Sequence, residues 1–185
     1  MCEIAQTGFP SSELIFKAAP LTPKTMKLHQ KLPLEPMLAC VELGLDDRSN
    51  TAATAEGAGR AQRTLIQQDR KARENRVKSL FEWLRVRQVK RIVRLVVYDN
   101  PEMPCRDHVI RDCLRGFDIR YLDWDKEDMS VDVVKDATPN VRELWLSWSG
   151  RNSVLLGWCN ETDGLRMLKG SVRISPRYHF SAAQC

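Results

Sequence analysis

No apolar run in this chain of 185 residues approaches the length that a membrane-spanning helix requires. A secretory signal is missing too: Glu3 sits near the start, the apolar stretch 14–16 is too short, and no small-residue cleavage site follows it. The six cysteines (Cys2, Cys40, Cys105, Cys113, Cys159 and Cys185) are scattered and form no C-x-x-C pair. That spacing argues against a disulfide framework and for free thiols in a reducing, cytoplasmic setting, with Cys113 and Cys159 at apolar helix positions. Phosphate-cradling loops are absent as well, since neither G-x-G-x-x-G nor G-x-x-x-x-G-K-[ST] occurs. Nothing in the composition calls for a cofactor.

What the chain does have is a cadence. Strand-like segments at 92–99 (IVRLVVYD), 119–125 (IRYLDWD), 141–149 (VRELWLSWS) and 171–175 (SVRIS) alternate with helix-like ones at 107–114, 130–137 and 152–159. Strands joined by crossovers of this length run parallel, which predicts an α/β fold. Equivalent positions Leu95, Leu122, Leu144 and Val172 are separated by 27, 22 and 28 residues, in the range of leucine-rich-repeat units, although the L-x-x-L-x-L-x-x-N/C-x-L consensus is absent as leucines. The expected architecture is an irregular leucine-rich-repeat-like layer with helices mainly on one face of a parallel sheet; a small Rossmann-like three-layer domain is the alternative. Residues 1–60, with five prolines and the small-residue run 49–59, read as a mostly disordered lead-in containing a short helix around 35–45. Residues 61–88 read as a basic amphipathic helix, 89–175 as the α/β domain and 176–185 as a tail.

Alternation within the strands assigns faces. Val93, Leu95, Val97, Leu122, Trp124, Leu144, Leu146, Trp148, Val172 and Ile174 form one apolar face. It is matched by Val109/Ile110/Cys113/Leu114, Val133/Val134/Ala137 and Val154/Leu155/Trp158 on the helices, and by the stripe Val77, Leu80, Phe81 and Leu84 on the basic helix. Asp107, Ser130 and Asn152 read as N-caps and Gly116 as a C-terminal stop. The opposite face is mixed: Arg94, Val96 and Tyr98, then Ile119, Tyr121 and Asp123, then Glu143, Trp145 and Ser147, then Arg173 and Ser175. Arg94, Tyr98, Tyr121, Asp123, Glu143 and Trp145 are its chemically distinctive members, and they predict either a protein-binding surface or the seat of a lid formed by the N-terminal segment.

Other patterns carry less. Residues 60–94 hold 12 basic residues against three acidic ones, a local balance of +9, whereas residues 99–143 carry −5. The two halves are suited to attract each other or a neighbouring copy; nucleic-acid binding through the basic helix is a further alternative, disfavoured by the lack of interleaved aromatics and of a nucleic-acid motif. Cys105, His108 and Cys113 lack a fourth zinc ligand nearby. The acidic run 123–128 (DWDKED) lacks the glycine and distal Glu of a calcium loop and reads as a solvated turn. Residues 149–152 (SGRN) read as an N-capped turn rather than an anion site.

The runs ENRVKSLFEWLR (74–85), VKRIVRLVVYD (89–99), DHVIRDCLRGFDIRYLDWDKEDM (107–129) and TPNVRELWLSWSGRNSVLLGW (138–158) resemble the region preceding the protease domain in fungal intracellular subtilisin-like serine proteases. The resemblance covers roughly residues 68–169, and the tryptophan-rich WSG run is its most specific part. It does not bring proteolysis with it: the D-[ST]-G, H-G-T and G-T-S-M-A motifs of the subtilase triad are missing, and none of His29, His108 and His179 precedes a glycine. The resemblance implies a non-catalytic module and a protein partner, a subtilase catalytic chain being the candidate it suggests.

Overall fold

The computed structural model describes the backbone of residues 13–16, 34–45, 60–168 and 173–177, with side chains within 34–45 and 66–168. Its elements are β1 (Glu13–Phe16), β2 (Met37–Gly44), α1 (Arg60–Val86), β3 (Arg91–Tyr98), α2 (Asp107–Leu114), β4 (Asp118–Glu127), α3 (Val131–Ala137), β5 (Glu143–Ser147), α4 (Asn152–Trp158), a 3-10 turn (Leu165–Met167) and β6 (Arg173–Arg177). Every adjacent pair of strands is parallel, and the sheet order β1-β2-β3-β4-β5-β6 is the order of the chain. Because right-handed crossovers in an order that never reverses put all connecting helices on one side, the fold is a one-sided α/β layer. A doubly wound Rossmann-like sheet needs a reversal of strand order, and none occurs among the described strands. The helices also stack in chain order, α1 on α2, α2 on α3 and α3 on the 3-10 turn.

The core lies between these layers and has a repeating signature. Each unit buries its first, fourth and sixth residues: Leu38/Val41/Leu43, Ile92/Leu95/Val97, Ile119/Leu122/Trp124 and Val141/Leu144/Leu146. That is the L-x-x-L-x-L half of the leucine-rich-repeat consensus with other apolar residues standing in for leucine. Asn100 occupies the ninth position of its unit, where the consensus has Asn or Cys, and its Oδ1 accepts from the backbone N–H groups of Glu102 (2.9 Å) and Met103 (3.0 Å).

This spacing breaks strict alternation once per strand and corrects two face assignments. Val93 is 38% exposed on the side away from the helices, whereas Ile119 is buried in the core; Val96 keeps its assigned face, although it is buried there. The ladder passes over the row Ala39, Val93 and Arg120, so Leu38, Ile92 and Ile119 turn into the core one residue out of phase. In β6, Ile174 rather than Val172 stands beside Leu144.

The helix expected around residues 35–45 is instead strand β2. Its partner β3 supplies a ladder that local propensity does not foresee, and the N–H groups of Lys90 and Arg91 both donate to the Pro36 carbonyl (2.8 and 3.1 Å). Two strands therefore fall within residues 1–60; the remainder of that expected lead-in, and most of the expected tail, lie outside the described residues.

The stripe Val77, Leu80, Phe81 and Leu84 of α1 is buried as its period predicts, and Phe81 stacks on Trp124 with ring centroids 6.2 Å apart. Ser130 caps α3 by accepting from the Asp132 N–H. Asp107 and Asn152 sit one position inside their helices, and the flanking Arg106 and Arg151 make no side-chain cap. Gly116 follows α2 with φ +90°, a left-handed conformation that suits glycine. In α4 only Trp158 is buried, its Nε1 donating to the Met129 carbonyl (2.9 Å), while Leu156 is 73% exposed. Trp148, assigned to the apolar face, is half-buried at the core's edge, and its Nε1 donates to the Arg151 carbonyl.

Candidate functional site

Register across the sheet converts single residues into rows. Cys40, Arg94, Tyr121 and Glu143 are paired across β2 to β5, and one step further along the strands lie Glu42, Val96, Asp123 and Trp145. Because the helices occupy the other side, both rows lie on the opposite face, called the open face below although Val96, Asp123 and Ser147 on it are buried, and all six residues singled out from the sequence belong to it.

Three of them touch. The Arg94 guanidinium lies 4.8 Å from the centre of the Tyr121 ring, and Tyr121 meets Trp145 at 6.4 Å with the planes inclined by 46°. A cation on a tyrosine face gains from the ring quadrupole and leaves its N–H groups free to meet another molecule. Asp123 sits between Val96 and Trp145 and is only 2% exposed, whereas Glu143 is half-buried. Tyr98 stands apart at the strand end beside Gly44, 43% exposed.

The acidic run after Asp123 is divided among separate tasks. Asp125 accepts from the Ser147 hydroxyl (3.4 Å) and Lys126 pairs with Asp107. Asp128, at φ +55°, accepts from the Ser149 N–H and hydroxyl (3.0 and 2.5 Å), which ties the turn after β4 to the turn after β5.

Nor do the thiols and histidine near α2 converge: among the described residues no three His, Cys, Asp or Glu side chains gather around a common point. Burial above all, with the nearby Asp99 carboxylate, pushes the Cys105 thiol far up; burial takes Cys113 to about 12. Both are thus protonated at neutral pH, the form in which a cysteine is neither nucleophile nor metal ligand. Asp99 itself is buried, accepting from the N–H groups of Asn100 and Cys105 and from Trp124 Nε1 (2.8, 2.9 and 3.0 Å).

Part of the charge of the basic helix is directed at the rest of the chain. Arg73 donates to the Met103 carbonyl (2.9 Å), Lys78 pairs with Asp112 (3.2 Å), and Glu74 pairs with Arg106 (2.6 Å). Arg85 reaches the carbonyls of Asp112, Cys113 and Arg115 at 2.6 to 2.9 Å, covering the carbonyl end of α2 as a cation there should. The sequence foresees the attraction between a basic helix and an acidic domain; the individual pairs depend on how α1 and α2 pack, which no local pattern encodes.

No family model, no curated protein and no solved structure matches this chain. Among the described residues no helix is long and apolar enough to cross a membrane.

Proposed function

We propose that this chain is a non-enzymatic protein-interaction module whose open sheet face, centred on Arg94, Tyr121 and Trp145, is the binding surface. The observation that carries the reading is the contact between these three side chains on the side of the sheet that the helices leave uncovered. Arginine and large aromatics dominate binding energy where they are packed and then desolvated by a partner, and Tyr121 and Trp145 are already held by each other. Cys105, Cys113 and Cys159 are free thiols, which supports a cytoplasmic setting.

Capture from a cell extract, followed by rebinding of purified candidates, compares the native chain with Tyr121→Ala/Trp145→Ala. A purified partner should bind the native chain and lose at least about tenfold in affinity with the variant, while circular dichroism shows the fold retained. Equal binding to both chains would remove the basis of the proposal. Peptide hydrolysis by the isolated protein would overturn the non-enzymatic part.

The second reading, an accessory relative of the region linked to fungal subtilases, rests on the four runs between residues 74 and 158, of which the tryptophan-rich WSG run is the most specific. Its partner would be a subtilase catalytic chain, and its test is whether adding this protein changes that chain's activity.

A further inference from the structure

Exposure divides the open face into two halves. Toward the strand ends Val96, Asp123 and Ser147 are buried, and that half offers little to another molecule. Toward the strand starts Arg91, Val93, Arg94 and Arg142 are exposed, with Tyr121 half-buried among them. This accessible half is rich in arginine. Arg91, Arg94, Arg120 and Arg142 stand on β3, on β4 and just before β5, against the carboxylates of Asp118 and Glu143. By register Glu13 of β1 and Arg173 of β6 mark the two ends of the row, one charge of each sign. The turns that lead into β2, β3 and β4 bring Glu35, Lys90 and Arg115, all exposed. Positive charge is therefore in excess from edge to edge.

The carboxylates do not absorb that excess. Asp118 is shared, accepting from Arg91 (2.7 Å), Arg120 (3.2 Å) and Asn140 (3.3 Å). Arg94 and Arg142 form no ion pair with any described residue; Arg94 lies instead on the Tyr121 ring. A guanidinium held on a ring still presents its N–H groups, in the fork that fits a carboxylate.

We propose that the strand-start half of the open face binds an acidic segment of a partner protein, one carboxylate on Arg94 and another on Arg142. The proposal rests on the reading of the open face as a protein-binding surface and names the chemistry of what it takes. Arg94 and Arg142 are two strands apart, about 10 Å at the usual strand spacing, with Tyr121 and Arg120 on the strand between them. A polyproline II segment turns once every three residues and rises about 3.1 Å at each, so side chains at i and i+3 point the same way about 9 Å apart. Acidic residues at that interval meet both arginines at once, and the residues between them cross Tyr121. A nucleic-acid strand fits less well. Asp118 and Glu143 lie in the same patch and oppose a continuous row of phosphates, whereas a peptide carries its acids only where the arginines stand.

Fluorescence anisotropy with the full chain, at concentrations up to about 1 mM, tests the proposal with a labelled peptide of repeated glutamate-proline-alanine triplets. That peptide should bind with a dissociation constant below about 1 mM, and added salt should weaken it. Its counterpart with glutamine in place of glutamate should bind at least about tenfold more weakly. Arg94→Gln/Arg142→Gln should lose at least about tenfold in affinity for the acidic peptide while circular dichroism shows the fold retained. No binding of the acidic peptide overturns the proposal, as does equal binding of the glutamine counterpart or equal binding by the folded double variant. Tighter binding of single-stranded DNA of similar charge also overturns it, by making the patch a nucleic-acid surface. Should the variant fail to fold, the two peptides and the salt series on the native chain decide alone. A partner that needs Tyr121 and Trp145 but is indifferent to Arg94→Gln/Arg142→Gln would sink this inference and leave the proposed function standing.

Discussion

One ion pair with a buried carboxylate helps to fix where the first long helix meets the rest of the molecule. Glu74, buried in α1, accepts from the Arg106 backbone N–H (3.1 Å) and from its guanidinium (2.6 to 3.2 Å), at the residue that opens α2. Burial by itself raises the pKa of this carboxyl, but the side-chain and backbone hydrogen bonds of Arg106 and its charge lower it further, leaving it below the ordinary range. Arg106→Ala would strand a buried carboxylate, whereas Glu74→Gln removes the charge and keeps hydrogen-bonding capacity. The urea midpoint at pH 7 should therefore fall further for Arg106→Ala than for Glu74→Gln; the reverse order would show that the pair does not hold the helix. A carboxyl whose folded pKa is depressed contributes stability above its unfolded pKa and loses it as pH falls through the folded value. Asp118 behaves alike: burial raises its pKa, and Arg91 and Arg120 lower it more. Stability should thus decline as the pH drops below the ordinary carboxylate range, and the acid slope should be shallower in Glu74→Gln.

At the scale of the element, the repeat spacing distinguishes two side chains that simple alternation confuses. Ile119→Ala should cost about 2–5 kcal/mol, because it opens a cavity between sheet and helices, whereas Val93→Ala on the open face should stay within about 0.5 kcal/mol. Denaturation midpoints of the two variants check this, and a costly Val93→Ala would contradict the core described above. The strands β3 to β6 and helices α2 to α4 were legible because apolar clusters stand between turn residues and caps. Their faces were legible only from the fourth position of each unit onward: a period of two begun at Val93 misses the phase break that puts Ile92 and Ile119 into the core, and the apolar spacing Ile92/Leu95/Val97 with Asn100 was the available signal. Strand β2 stayed hidden since its stabilising ladder joins residues about fifty positions apart in the chain, and a proline-rich neighbourhood obscured it. The six open-face residues could be named from sequence, but the contact of Arg94, Tyr121 and Trp145 could not, because it depends on register between strands.

For the molecule as a whole, every described strand bonds only to its neighbours in the chain, and the layer has an interior and two flanks. Strands β3 and β4 are bonded on both sides and covered by the core-facing stripes of α1 and α2, whereas α4 contributes one buried side chain. Native-state hydrogen exchange should find the slowest amides in β3 and β4 and the fastest helical ones in α4, because opening free energy follows buried contact. Protection in α4 equal to that in α2 would contradict this ranking.

Sequential pairing also has an evolutionary side. The units beginning at Leu38, Ile92, Ile119 and Val141 follow one another at intervals of 54, 27 and 22 residues, yet their first, fourth and sixth positions still line up. No strand must find a distant mate and no barrel has to close, which leaves connector length nearly unconstrained by the sheet. Duplication or loss of a whole strand-and-helix module would lengthen or shorten the ribbon and its patterned surface in steps, keeping the remaining rows in register.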